Sequence, residues 1–321
     1  MENFTKRIPQ QTSLKFVPST VINGIKLRAV ADKIYSTPLN GTFHQFLEQH
    51  AIELIGDNWW IEQDEKKKNE QSCLFQWADE FYKAGIESKI ANPFQKIISI
   101  PNTGARLCWM LFCYDLLCLE HRFALPKELI ERLKDSVSFQ SARYELAIAA
   151  MLVKAGFDIM WIKRSDKKSC ELMATHRKTC WSFGVEVKSK RTPNVLNESG
   201  QESNNNDIKP LKRLLKKALK QAPENSGYII FIDQNQDGLD EKKLVDQANL
   251  ALKNSVKTSS EDNPNPFSII VFTNFPFHYL DDGSVKYSFA CPPHPKYPIP
   301  LEVQQAIEDG LYYYGHIPDE M

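Results

Sequence analysis

Trp181-Ser-Phe-Gly-Val-Glu-Val-Lys188 alternates apolar and polar side chains with period two, the pattern of a β-strand with two unlike faces. Phe183, Val185 and Val187 turn one way, toward a core, while Ser182, Gly184, Glu186 and Lys188 turn the other. The strand thus presents a carboxylate and an ammonium side by side at its end. Glu-x-Lys alone carries no information. It also occurs at Glu65–Lys67, Glu87–Lys89 and Glu241–Lys243, and only Glu186–Lys188 closes a strand.

Upstream, Ser138 to Ala155 reads as a helix stopped by Gly156. Phe157 to Lys163 reads as a strand, Ser165 to Lys168 as a turn, and Glu171 to Thr175 as a short strand. A hairpin turning near residue 178 sets Glu171 opposite residue 185 or 186, where facing Cβ atoms lie about 5 Å apart. Two carboxylates that close repel each other unless a cation sits between them. A hard ion such as Mg²⁺ suits an all-oxygen site of one or two carboxylates plus waters. The backbone carbonyl of Val187 can complete the set. On the helix, Ala142, Glu145, Ala149 and Leu152 share one face. A carboxylate in that company is paired, metal-linked or at the rim of a cleft. The alternative for Glu171, Glu186 and Lys188 is a salt-bridge ladder on a half-exposed sheet.

Downstream, Arg191 to Asp207 is rich in Asn, Ser and Glu and reads as a mobile loop. Pro210 to Gln221 reads as an amphipathic helix, with Leu211, Leu214, Leu215, Ala218 and Leu219 as its apolar stripe. Strands at Gly227–Asp233 and Phe267–Thr273 flank a helix at Glu241–Leu252, a βαβ unit whose two strands should be parallel. A final helix is expected near Glu302–Tyr313. From residue 138 the order is α-β-β-β-α-β-α-β, an α/β mixed sheet with helices packed on it.

These residues resemble the PD-(D/E)xK nuclease superfamily, whose core is α-β-β-β-α-β with an acidic residue on the second strand and (D/E)-x-K on the third. The resemblance covers about 138–233, under a third of the chain. Glu186-Val-Lys188 fits the third strand fully. The first acidic position is Glu171 in Ser169-Cys-Glu-Leu172, where the family more often has Asp, and no Pro precedes it. Glu145 matches a first-helix glutamate of many members, and Gln221 an accessory glutamine of some branches. The resemblance implies a restriction-endonuclease-like mixed sheet flanked by helices and Mg²⁺- or Mn²⁺-dependent hydrolysis of phosphodiesters. Glu171, Glu186 and the Val187 carbonyl would hold the metal, Lys188 would serve the attacking water and the phosphate, and Glu145 would join the catalytic set. A catalytically inactive relative that binds nucleic acid or a protein partner is the alternative.

Charge agrees with a nucleic-acid substrate. The chain has 40 Lys+Arg and 40 Asp+Glu, which excludes a uniformly basic coat protein and a polyacidic tail. Yet residues 141–233 hold seventeen Lys and Arg against ten Asp and Glu. The helix at 209–220 carries Lys209, Lys212, Arg213, Lys216, Lys217 and Lys220 and no acid. Lys190 and Arg191, just past the active strand, and Lys212, Lys216 and Lys220 are the candidates for contact with the phosphate backbone. DNA is expected ahead of RNA. The same lysines read equally as a solvated face.

The chain divides at 136/137 into a mostly helical N-terminal part of unknown role (1–136) and the nuclease-like part (137–321). Thr42 caps a helix at Phe43–Ile55, and further helices are expected at Leu74–Ala84, Ala105–Glu120 and Lys127–Leu133. Residues 1 to about 40 show no clear pattern. The N-terminal part is open to pairing with a second copy or a partner subunit. Cys108 to Leu119 is apolar but short and contains Asp115, so it suits a buried helix rather than a membrane span. No apolar leader opens the chain, so the cytoplasm is the expected compartment and no membrane partner is expected. Seven cysteines without a CxxC read as buried free thiols.

Overall fold

The computed structural model describes residues 17–95, 97, 100, 104–162, 169–191, 208–236, 239–256, 259–275 and 286–318. The expected turn at 165–168 and the loop 192–207 lie outside the described residues, as do residues 1–16.

The patternless N-terminal stretch holds a three-stranded antiparallel meander, β1 (Ser19–Ile22), β2 (Ile25–Val30) and β3 (Lys33–Pro38). Its first turn is Asn23-Gly24, with φ of 50° and 78°, between the paired Ile22 and Ile25. Asn-Gly favours such two-residue hairpin turns because both positions need positive φ. Helices α1 (Phe43–Ile55), α2 (Asp57–Asp64), α3 (Cys73–Ala91), α4 (Gly104–Glu120), α5 (Lys127–Lys134) and α6 (Phe139–Lys154) follow. At the start of α1 the Thr42 hydroxyl accepts from Gln45 N–H and the Gln45 side chain accepts from Thr42 N–H, a reciprocal cap.

The second half contains β4 (Phe157–Trp161), β5 (Leu172–His176), β6 (Ser182–Ser189), α7 (Lys209–Leu219), β7 (Gly227–Asp233), α8 (Glu241–Ser255), β8 (Ile269–Asn274), β9 (Lys286–Ala290) and α9 (Leu301–Tyr312). The nine strands and nine helices among the described residues make an α/β protein with a mixed six-stranded sheet, ordered β4-β5-β6-β7-β8-β9. β6, β7 and β8 are parallel, as the βαβ pattern requires, and the other pairs are antiparallel. The edge strand β9 was not expected from the sequence.

Both faces of the central sheet are covered. Phe183, Val185, Ile229, Phe231, Ile269 and Val271 enter a cluster shared with α6. Tyr228, Ile230, Ile232, Ile270 and Phe272 enter another with α7 and α8. This explains why β7 and β8 read as unbroken apolar runs rather than alternating ones. The first cluster runs from Val17 and Phe46 through α4 to Tyr314, so one apolar core spans residue 136/137.

α4 is buried at every position from Leu107 to Leu119, including Asp115. Its carboxylate accepts from Arg143 Nη1 at 3.0 Å, Lys154 Nζ at 3.0 Å and Tyr314 Oη at 2.7 Å. The charge is therefore paired on both oxygens, which is the condition for burying it. Five of the seven cysteines are buried as expected; Cys180 and Cys291 are exposed, and all seven are free. Among the described residues no helix is long and apolar enough to cross a membrane.

Removing the Asp115 carboxylate strands two buried cations. Asp115→Ala should lower the unfolding free energy by about 3–5 kcal/mol, read from urea unfolding. A loss below about 1 kcal/mol would show that Arg143 and Lys154 find water instead.

Candidate active site

β6 and the segment before β5 build the site. Leu172 pairs with Val185, and the N–H of Glu171 also donates to Val185 O at 3.0 Å. Two residues on one chain thus oppose one on the other, the pattern of a β-bulge, where pairing ends and a side chain is re-aimed. The hairpin register expected for Glu171 is therefore observed. The neighbouring Cys170 packs closely against glycine at residue 184. A Cβ there would meet Cys170 Sγ and Pro223 Cγ at 3.0 Å each. On the other side, the Gln221 amide donates to Ser169 O at 3.2 Å and ties the end of α7 to the same segment.

Lys188 joins the two carboxylates. Its Nζ donates to Glu186 Oε1 and lies 3.7 Å from Glu171 Oε1. The side chains of Glu171 and Lys188 are 11% and 18% exposed, whereas Glu186 is wholly buried. That last fact departs from the half-exposed sheet of the salt-bridge-ladder alternative. Alternation tells only that Glu186 points away from Val185 and Val187; α7 and Tyr228 then close over that face. Burial pushes the Glu186 carboxyl up to about 7, against the lowering effect of Lys188, with Glu171 and Glu145 adding to the rise. Glu186 Oε2 is buried and has no hydrogen-bond partner among the described residues.

The donor set fits a hard divalent ion in one specific sense. Two carboxylates and an orphaned buried oxygen match an ion that keeps several waters and takes one or two protein carboxylates. No group of three or more His, Cys, Asp and Glu side chains that could hold a metal occurs among the described residues. Val187, buried at 6% exposure, lies between Glu186 and Lys188 on β6. Its carbonyl turns toward the same strand edge as that of Val185, which Glu171 engages.

The remaining candidates separate. Glu145 on α6 is 6% exposed and is held by Arg132 Nη1 at 2.7 Å. Arg191 is exposed, and its charge helps hold Asp135 below the usual carboxylate range, after the Ser138 hydrogen bond. Lys190, expected on the surface, is 4% exposed, with its Nζ 3.5 Å from Gln236 Oε1. It belongs to the interior because β6 continues to Ser189 and its backbone docks on β7 through Lys190 N–H to Asp233 O at 2.9 Å. On α7, Lys216 and Lys220 are exposed and Lys212 is half-buried, while Leu211, Leu215 and Ala218 face the core.

A second polar centre escaped the sequence reading. Asp233 Oδ1 accepts from Thr273 Oγ1 at 3.0 Å and Phe275 N–H at 3.1 Å, and burial lifts its carboxyl to about 7. Asn235, at φ 44°, donates to Gln140 Oε1 at 2.8 Å and Lys190 O at 3.2 Å. Asp233, Asn235, Gln140, Arg143, Tyr144 and Tyr314 line a small cavity of about 40 Å³. Its signal was Asp233-Gln-Asn-Gln236, a polar run directly after an apolar strand. The chain matches no family model, and no curated protein or solved structure matches it.

The raised Glu186 carboxyl has a signed consequence. Its folded pKa of about 7 exceeds its ordinary 4.5, so between those values the folded chain holds a proton that the unfolded chain has lost. Its contribution to stability therefore falls as pH rises through that window and is flat above it. Glu186→Gln should gain stability relative to the unaltered protein by about 1–2 kcal/mol between pH 5 and pH 8 in urea unfolding. A constant difference across this range would show that Glu186 titrates as it does in the unfolded chain.

Proposed function

We propose that this protein is a divalent-metal-dependent nuclease that hydrolyses phosphodiester bonds of DNA on a restriction-endonuclease-like core. The observation that carries the proposal is the convergence of Glu171, Glu186 and Lys188 at the end of β6, with a buried Glu186 oxygen left without a partner. The order α6-β4-β5-β6-α7-β7 supports it, as do the exposed basic side chains of α7 beside the site.

Glu171 and Glu186 would hold Mg²⁺ or Mn²⁺, with the Val187 carbonyl beside them. The ion, when bound, supplies Lewis-acid polarisation of the phosphoryl oxygen and a more acidic water. Lys188 would leave the carboxylates for the phosphate, donating its N–H groups to an oxygen that gains charge in the transition state. The bulk of α7 and Tyr228 over Glu186 keeps water from that carboxylate and strengthens its hold on a cation.

One observation favours a purely structural ladder of charges at this site. Lys188 already contacts both carboxylates, as in a simple salt-bridge ladder. Mn²⁺ titration followed by thermal unfolding separates the two readings, since a ladder gains nothing from the ion and a metal site is stabilised by it.

Plasmid DNA with Mg²⁺ or Mn²⁺ should be cut, and EDTA should stop the reaction. Glu186→Gln and Lys188→Met should each slow cleavage about a hundredfold or more while circular dichroism stays unchanged. Intact cleavage by either variant would remove the site from the reaction. Replacing Lys212, Lys216 and Lys220 with Gln should weaken binding to all duplex sequences alike and flatten the slope of log affinity against log salt by roughly two to three units. An unchanged slope would take α7 off the binding surface.

A further inference from the structure

α5 belongs by sequence to the N-terminal part, yet its last turn is bonded to the first turns of α6. Arg132 Nη1 lies 2.7 Å from Glu145 Oε2, and its Nη2 lies 3.5 Å from Ser141 Oγ. The Glu145 side chain is 7% exposed and that of Arg132 is 22% exposed. α6, which carries Glu145, packs on the Val185 face of β6, opposite the face that carries Glu186 and Lys188. Asn235 donates both to Gln140 Oε1, one residue before Ser141 on α6, and to Lys190 O, just past β6. The C-terminal ends of α5 and β6 therefore stand on the same side of the molecule.

An anionic substrate has an electrostatic problem here. Without the ion, two carboxylates repel a phosphodiester, and Lys188 offsets only one of them. A guanidinium carries five N–H donors in a rigid plane. Glu145 and Ser141 engage two of the Arg132 nitrogens, and its other N–H groups have no partner among the described residues. A buried carboxylate behind the guanidinium fixes its plane, so the outward edge is preset for the two oxygens of a phosphate.

We propose that Arg132 contacts a backbone phosphate of the substrate, and that Glu145 is the positioning residue for Arg132 rather than a ligand of the metal. The proposal rests on the nuclease reading. It makes the N-terminal part a contributor of substrate contacts, and it assigns the Glu145 carboxylate to a guanidinium.

The test uses the full chain, a fluorescent DNA duplex in EDTA for binding, Mn²⁺ calorimetry, and cleavage in Mg²⁺. Arg132→Gln should weaken duplex binding about tenfold and reduce the slope of log affinity against log salt by about 0.9. Arg132→Lys keeps the charge and the ion pair, and hence the fold; it should leave the slope unchanged but weaken binding about threefold through loss of the planar fork. Glu145→Gln should also weaken duplex binding and should leave Mn²⁺ affinity unchanged. A tenfold loss of Mn²⁺ affinity in Glu145→Gln would make Glu145 a metal ligand and overturn the proposal. So would unaltered duplex affinity and salt slope in both Arg132 variants of a protein that cleaves DNA, a result that leaves the nuclease reading standing. Failure of the unaltered protein both to bind the duplex and to cleave it would overturn the nuclease reading and this proposal with it.

Discussion

Glu186 is a carboxylate without solvent on a strand whose two faces are both covered, and the surrounding structure answers to that burial. An isolated ionised carboxylate in such a place is strongly disfavoured, so it must protonate, pair or bind a cation. Lys188 is the resident answer, two positions along the same strand face. The remaining oxygen of Glu186 is unanswered among the described residues, and the carboxyl is raised to about 7. Gly184 admits the segment that carries Glu171, and Gln221 anchors that segment from the helix which closes over Glu186. Each of these features places opposite or like charge around a single buried group.

Asp115 poses the same problem on α4 and meets a complete solution. Its two oxygens receive a guanidinium, an ammonium and a phenol, and Tyr314, one of those partners, lies 199 positions away in sequence. This cluster ties α4 to α6 and to the residues just past α9. The contrast with Glu186 is instructive. A carboxylate whose acceptor oxygens are saturated holds the fold together, and a buried one left half-satisfied at the end of a strand is poised to take a ligand. The Asp233 centre lies closer to the first kind, since Thr273 and the Phe275 N–H engage its carboxylate.

Much of this was legible in the residues. Period-two alternation over 181–188, the Gly156 stop, the Thr42 cap and the apolar runs at 227–233 and 267–273 are local properties, and the elements they imply form within two residues of the expected ends. The hairpin register followed from the turn position, because antiparallel partners sum to a constant. The meander at 19–38 was missed although Asn23-Gly24 marks its first turn, since the flanking strands are short and three of their isoleucines, Ile22, Ile25 and Ile34, lie exposed. With apolar side chains facing solvent, the alternation that identifies a half-buried strand is lost.

Local patterns along the chain were enough for the order of elements from α6 to β8, the parallel pairing of β7 and β8, and the placement of Glu171, Glu186 and Lys188 near one end of one hairpin. How much water reaches them depends on tertiary packing. Alternation separates two faces but does not say what covers either one, so the burial of Glu186 waited on α7, and the burial of Lys190 on the docking of its backbone against β7. The pairing of Arg132 with Glu145 belongs to the same class. Propensity and periodicity act between neighbours in sequence, whereas a salt bridge between α5 and α6 depends on where two helices come to rest against a common core.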